Sequence, residues 1–452
     1  MSLYLITDYG ARSGTEESQS AAIQGAIDAC HQAGGGRVVV PSGPAFVIGS
    51  IELKSNVELH LEAGAVLAGS KRREDYLEEH VAGEYGSGLS GFLIRAQNAQ
   101  NFSVTGTGVI NQRGCNFTDG FKSEDGPYIF AWQSWRPRMI GFYGCQQITF
   151  RDVTLRDAAN WCLHMTGCND VVIHGIRIYN HLAGTNCDGI DPDHCTNVRI
   201  SDCYIESGDD CIVIKATTEG RDLGYNGSHN ITVTGCTLKS TSAAIKVGTE
   251  SQSDFSNILF NNCVVQSSSR GLAIQLRDGG NVENVLFSNI TVETRLFHDL
   301  WWGKAEPIYV TAIPRHEGQT VGKIRHIRFQ NILCRAENGV FIAANAPGFI
   351  EDVVLDNVRV EVDKWSKWPG GVHDRRPMLG GEHTGIVEHP TSAVYMENAE
   401  QVRFNNVDIA WGENRPDYFA YALEAHGCKG LNIDSFRGRA AHPDRYDDKL
   451  IV

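Results

Sequence analysis

From Phe102 onward the chain repeats a short motif in which two apolar residues flank one variable residue, usually after Asn, Asp or Gln. The first apolar positions are Phe102, Ile148, Val171, Val198, Ile231, Ile258, Val285, Ile327, Val353, Val402 and Leu431. Their i+2 partners are Val104, Phe150, Ile173, Ile200, Val233, Phe260, Phe287, Phe329, Leu355, Phe404 and Ile433. An apolar period of two is that of a strand with one buried face. Several steps between motifs fall between 23 and 29 residues, whereas 102 to 148, 285 to 327 and 353 to 402 are longer and imply inserted loops or a missed coil. Most motifs run through a polar pair into another β-type stretch, as in Cys195-Thr-Asn-Val-Arg-Ile-Ser-Asp-Cys-Tyr-Ile205, so each repeat holds more than one short strand.

A leucine-rich repeat has a similar period but needs an L-x-x-L-x-L frame, and a propeller blade needs about 40 residues. The pattern predicts an all-β fold instead, a right-handed parallel β-helix in which stacked coils share one core and residues 1–452 form a single solenoid domain. The start of the chain differs: Ile23, Ala26, Ile27 and Cys30 lie at i, i+3, i+4 and i+7, with Ser18 and Ser20 as candidate N-caps and Gly34-Gly35-Gly36 as the stop. This predicts a capping helix within a cap region 1–45, laid over the open end of the first coil. No Lys-Ser/Thr follows the glycines, so they do not read as a phosphate loop. Inserted loops are expected at 286–326 and 360–398, near a cleft.

Composition removes whole classes of function. With 40 Lys and Arg against 54 Asp and Glu, the net charge of −14 offers no basic field to nucleic acid. No apolar run approaches the roughly 18 residues of a membrane span, so no membrane partner is expected. Residues 1–10 lack the features of a signal peptide. The expected location is cytoplasmic, or secreted or periplasmic if a leader has been removed. Thirteen scattered cysteines without a C-x-x-C read as small buried hydrophobes, and no metal site is expected.

Candidate chemistry gathers in Thr185-Asn-Cys-Asp-Gly-Ile-Asp-Pro-Asp193 and Ser207-Gly-Asp-Asp-Cys-Ile-Val-Ile-Lys215. Asp209 and Asp210 are adjacent, and Asp188 lies about one coil before them. Coils stack about 4.8 Å apart, so the three carboxylates should converge, and their repulsion should raise at least one pKa. A protonated carboxyl beside a carboxylate is what hydrolysis of a glycosidic bond needs. Asp191 and Asp193 read as coil-corner residues.

These residues resemble the polygalacturonase-like glycoside hydrolases, family 28. Asp8-Tyr-Gly-Ala, Gly34-Gly-Gly-Arg-Val and Lys54-Ser-Asn-Val-Glu-Leu share in the resemblance, and its most specific part pairs Asn186-Cys187-Asp188 with Gly208-Asp209-Asp210. The resemblance implies a right-handed β-helix, no cofactor, and hydrolysis of pectic polysaccharides with inversion. It implies that Asp209 is the general acid, that Asp188 and Asp210 hold and deprotonate water, and that Asn186 orients the neighbouring carboxylate. Ser242 stands where relatives have the histidine of G-H-G, while Ala273 and Gln275 stand where the R-I-K motif has two cations that grip a substrate carboxylate. Lys246, Arg277 and Lys215 are candidate replacement cations, Lys246 first.

In the first expected insertion, Trp301 and Trp302 are candidate stacking platforms for sugar rings, with His298, Glu306 and Arg315 completing the pocket. The second contains Trp365, Trp368 and the polar run Gly380-Gly-Glu-His-Thr-Gly385. Two long loops should block one end of the cleft and favour exo-action on galacturonate- or rhamnogalacturonan-type oligosaccharides. Two rivals share the fold: a β-eliminating lyase using Ca²⁺ and a Lys base, and a non-catalytic glycan-binding solenoid. The sugar, the linkage and the oligomeric state are not legible.

Overall fold

The computed structural model describes residues 2–81, 88–122, 129–299, 301–377 and 385–452. The chain forms two compact units, Met1–Asp209 with Thr217–Tyr225, and Asp210–Ala216 with Asn226–Val452. Each is a stack of coils built from short parallel strands.

In the first unit the repeated apolar pairs lie in register: Ile148 is opposite Phe102 and Val171, and Val171 is opposite Val198. In the second, Ile231, Ile258, Val285, Ile327 and Val353 follow one another in the same way. All of these side chains are buried. Because Phe102 pairs directly with Ile148 and Val285 with Ile327, the long sequence steps are inserted loops and hide no further coil. The pair Leu431 and Ile433 is an exception, half-exposed and outside any strand.

The residue before the pair has a conformational task. Asn101, Asn197, Asn230, Asn257 and Asn284 all adopt φ between 54° and 58°, and Gln147, Asp170, His326, Asp352 and Gln401 share this left-handed region. Asn and Asp reach it more readily than other side chains, which explains their recurrence in the motif.

A second sheet in each unit escapes the period-two pattern. Its strands are Arg138–Tyr143, Leu163–Thr166 and Ile190–Asp193 in the first unit. In the second they include Ile212–Ala216, Ala243–Ser251, Arg270–Leu276 and Ile308–Ala312. Most of these strands are buried at every position, so they carry no alternation. Asp191 and Asp193 lie within one of them, fully buried, and are not corner residues.

The capping helix α1 spans Ser20–Gln32 and buries Ile23, Ala26, Ile27 and Cys30 against the strands Leu3–Leu5, Gly36–Val40 and Ile51–Glu52. Its N-cap is Gln19, with no side-chain cap; neither Ser18 nor Ser20 serves. The glycines stop it as expected: Gly35 N–H returns to Cys30 O at 2.9 Å with φ 115°, where a Cβ would meet Asn56 O at 2.5 Å. The cysteines form no disulfide, and all but Cys115 and Cys428 are buried.

The insertions start later than the sequence suggests. The strand Val282–Thr294 continues the core, and the first loop covers 295–307. The strand Ile350–Val362 does the same, and the second loop carries a hairpin of Val372–Asp374 with Ile386–Glu388. In the run Gly380–Gly385, residues 380–384 lie outside the described residues.

Phe260, Phe287 and Phe329 stack face to face on successive coils of the second unit, with centroids 5.0 and 4.9 Å apart. Phe287→Ala should therefore cost about 3–5 kcal/mol, seen as a lower urea midpoint. An unchanged midpoint would show that the stack relaxes into the gap.

Candidate active site

In the first unit the loop Thr185–Asp188 is held from above and below. The Arg136 guanidinium donates to Ala159 O at 2.7 Å, to Thr185 O at 2.9 Å and to Asn186 Oδ1 at 2.8 Å, and lies 4.8 Å from the Trp132 ring centroid. Trp132 Nε1 donates to Thr185 O at 3.1 Å. Burial pulls the Arg136 pKa down, while Cys187, Asp188 and Asp209 pull it up. Clamped this way at φ 57°, Asn186 turns its backbone N–H onto Asp209 Oδ2 at 2.9 Å. Asn186 thus orients the carboxylate through its amide, its side chain being committed to Arg136.

Asp188 and Asp209 are buried and bring carboxylate oxygens within 4.8 Å of each other. Oxygens this close can share a proton, a water or a cation. The Asp209 N–H donates to Ser207 Oγ at 3.2 Å, and that hydroxyl donates to Cys187 O. The Cys187 thiol, raised by burial, donates to Ala158 O at 3.0 Å. Cys187 therefore packs and anchors the loop. Neither Arg136 nor Trp132 stands out in the sequence; both sit in the insertion between the Phe102 and Ile148 coils, where the repeat gives no guidance.

Asp210, next in the chain, opens the strand region of the second unit. Its Oδ1 accepts from Ser242 Oγ at 2.9 Å and from the Ala243 N–H at 3.1 Å, and its Oδ2 accepts from the Lys246 ammonium. Ser242 therefore serves Asp210, whereas the family histidine is expected to support the acid. Lys246, expected to grip a substrate carboxylate, is in contact with a carboxylate of the protein. The register pairs Lys246 with Ala273, and Gly248 with Gln275.

The remaining cations are also engaged. Lys215 Nζ donates to Glu250 Oε2 at 3.3 Å. Burial pushes Glu250 up, but Lys215, Arg315 and Lys246 outweigh it and hold the group at about 2. Arg315 makes a forked pair with Asp278, both bonds at 3.0 Å. Arg277 is fully buried and donates to Leu276 O and Thr311 Oγ1 at 2.9 Å. Thr311 is the coil neighbour of Gln275, which is itself buried.

The two insertions interlock around Asp374. Its carboxylate accepts from Arg270 at 3.0 Å, from Arg376 at 2.8 Å and from the Gly303 N–H at 3.2 Å. Burial alone would raise Asp374, yet Arg270 and Arg376 hold it well below the usual carboxylate range. Glu306 takes the Arg270 Nε at 3.2 Å and the Lys304 N–H at 2.7 Å. Arg376 also donates to Trp301 O at 2.7 Å and lies 5.1 Å from the Trp302 ring. Trp301 and Trp302 are 6.3 Å apart, and His298, its pKa lowered by burial, packs on Trp368 at 5.1 Å. Glu306, Trp301 and Trp302 are thus brought together, with Asp374 and Arg376 as partners that only the fold reveals.

The polygalacturonase of Ralstonia nicotianae is 28% identical over 43% of this chain and 45% of its own length, so the chain spans less than half of that relative. The hyperthermoactive exopolygalacturonase of Thermotoga maritima superposes with a TM-score of 0.73 over 90% of this chain and 92% of that one, at 21% identity. A family 28 exopolygalacturonase of Yersinia enterocolitica gives 0.69 over 96% and 78%, at 18% identity. At such identities the likeness establishes the fold, a right-handed parallel β-helix. The sequence profile described as glycosyl hydrolases family 28 matches residues 30–366, most of the chain, and the chain therefore belongs to that family.

Proposed function

We propose that the protein hydrolyses glycosidic bonds in pectin-derived oligosaccharides of galacturonate or rhamnogalacturonan type, removing units from a chain end. The observation that carries this reading is the pair of buried carboxylates with oxygens within 4.8 Å, Asp188 on the loop clamped by Arg136 and Asp209 held by the Asn186 N–H of that loop. Such a pair can divide the labour of acid and base when the two environments differ. Asp209 is assigned the acid that protonates the leaving oxygen. Asp188 and Asp210 are assigned to hold and deprotonate the attacking water. The Lys246 ammonium and the donors Ser242 and Ala243 fix the orientation of Asp210 for that task. Exo-action is supported by the exopolygalacturonases among the structural relatives.

Inversion is the stereochemistry that family membership implies. The oxygens of Asp188 and Asp209 are closer than the roughly 6.5–9.5 Å usual for inverting pairs, so the anomeric outcome is worth measuring directly.

Asp209→Asn should lower kcat about a thousandfold with the fold intact, since an amide cannot donate the proton. A variant keeping more than about a tenth of wild-type kcat, a loss under roughly 1.4 kcal/mol, would remove Asp209 from the acid role. Early products from pectic oligosaccharides, followed by chromatography and proton NMR, should be a monosaccharide or disaccharide of inverted configuration. A ladder of intermediate sizes would rule out exo-action, a retained anomer would make a carboxylate the nucleophile, and an ultraviolet-absorbing product would mean elimination. Lys246→Met should lower kcat on acidic and neutral substrates alike, because the ammonium serves Asp210. A rise in KM confined to acidic substrates would instead make Lys246 a substrate clamp.

A further inference from the structure

In the second sheet of the second unit the register sets Lys246, Ala273, Tyr309, Phe341, Tyr395 and Glu424 opposite one another on successive coils. Partners in a parallel ladder share a face of the sheet, so an aromatic column follows Lys246 on its own side. The rings of Tyr309, Phe341 and Tyr395 stack at 5.3 and 5.2 Å, within 13° of parallel. Uncovered, they would be an apolar surface in water, yet they are exposed by only 0, 3 and 6%. The hairpin of the second insertion covers them. His373 packs on Phe341 at 4.9 Å and on Tyr395 at 4.4 Å, and the Tyr309 hydroxyl donates to Asp374 O at 2.6 Å.

The two ends of this cover are fastened differently. At one end the Asp374 carboxylate meets the Arg270 and Arg376 guanidiniums, whose charge persists at every working pH. Beside it the Arg375 guanidinium takes both oxygens of Glu397. The other end closes on His389, which follows the strand Ile386–Glu388. Its ring stacks on His373 at 4.2 Å and meets Tyr395 at 5.3 Å. Ring Nδ1 lies 2.7 Å from Pro390 O, and Nε2 lies 3.3 Å from Glu424 Oε1. Burial alone would raise Glu424, but His389, Ser392 and His426 hold it at about 2, so it is a carboxylate. Both oxygens facing the ring can therefore only accept, both ring nitrogens carry hydrogen, and His389 is held as an imidazolium.

The surrounding groups leave that charge to Glu424. His373 is pushed down to about 3, by burial first and then by the His389 charge, and packs as a neutral ring. Glu397 is taken by Arg375 and by the Tyr395 hydroxyl at 2.9 Å, and His426 Nε2 shares Glu424 Oε1 at 2.8 Å. Glu424 draws the His389 pKa above its ordinary value, burial opposes the rise, and the Pro390 carbonyl adds to it. A group whose pKa rises on folding stabilises the fold fully below its unfolded value of about 6.5, and that contribution is lost as pH climbs through the higher folded value.

We propose that His389 and Glu424 form a pH-operated latch: while the imidazolium faces the carboxylate the hairpin is shut over Tyr309, Phe341 and Tyr395, and when the ring loses its charge the His389 end lifts about the fixed Asp374 end. Access to the aromatic face beyond Lys246 is thereby tied to pH. The latch needs nothing from the roles assigned to the aspartates.

Hydroxyl-radical footprinting with mass spectrometry reads the opening on the whole protein, at about pH 5.5 and about pH 8.5, either side of an ordinary histidine. Labelling of Phe341 and Tyr395, scaled to exposed Tyr9, should rise about threefold or more at the higher pH, the size a partly exposed ion pair supplies, while Phe287 in the core stays protected. His389→Gln should show the higher labelling at both pH values. Glu424→Gln should do the same and lower the midpoint of the His389 ring titration, followed by NMR; it decides the matter if His389→Gln does not fold. Equal labelling at the two pH values in the wild type, a pH response that survives in His389→Gln, or a wild-type His389 midpoint below about 6.5 would each overturn the latch.

Discussion

Each coil has to enter its next strand through a backbone in the left-handed region, and everything else depends on that turn. Asn101, Asn197, Asn230, Asn257 and Asn284 adopt it within a few degrees of one another. Similar turns keep the apolar pairs in register over successive layers, while differences in coil length are taken up outside the strands. Register is what makes chemistry possible here. Residues distant in sequence become neighbours about 4.8 Å apart, as Trp161 and Asp188 do.

The site is built by restraining polar groups that would otherwise relax. Arg136 donates to Ala159 O, Thr185 O and Asn186 Oδ1, and the loop so held turns the Asn186 backbone N–H onto Asp209. Asp210 is met by a hydroxyl, an amide and an ammonium. Two carboxylates adjacent in sequence are therefore handled differently, and difference of environment is what lets like groups take unlike roles.

Charge is arranged just as locally in the second unit. Lys215 faces Glu250, Arg315 faces Asp278, and Arg270 and Arg376 face Asp374. These buried pairs satisfy one another and tie loops together, which leaves them poorly suited to grip an incoming anion. Ala273 packs in a layer with Tyr309, Phe341 and Tyr395.

The coil repeat, the capping helix and the Asp188, Asp209 and Asp210 residues were legible because each leaves a local mark. Strands with one buried face alternate, left-handed turns select Asn and Asp, and adjacent aspartates before an apolar strand are conspicuous. The second sheet left no such mark, since most of its strands are buried on both faces and alternation vanishes. The N-cap at Gln19 and the true starts of the insertions were also hidden, because long strands such as Val282–Thr294 extend where the repeat seems to break. Partnership was decided by the tertiary structure alone. That Lys246 meets Asp210, that Ser242 joins it, and that Arg136 clamps Asn186 depends on which side chains the stacked coils and loops bring face to face. Spacing along the chain determines which residues can share a face, but the fold decides which of them touch, because hydrogen bonds and ion pairs form only over a few ångströms.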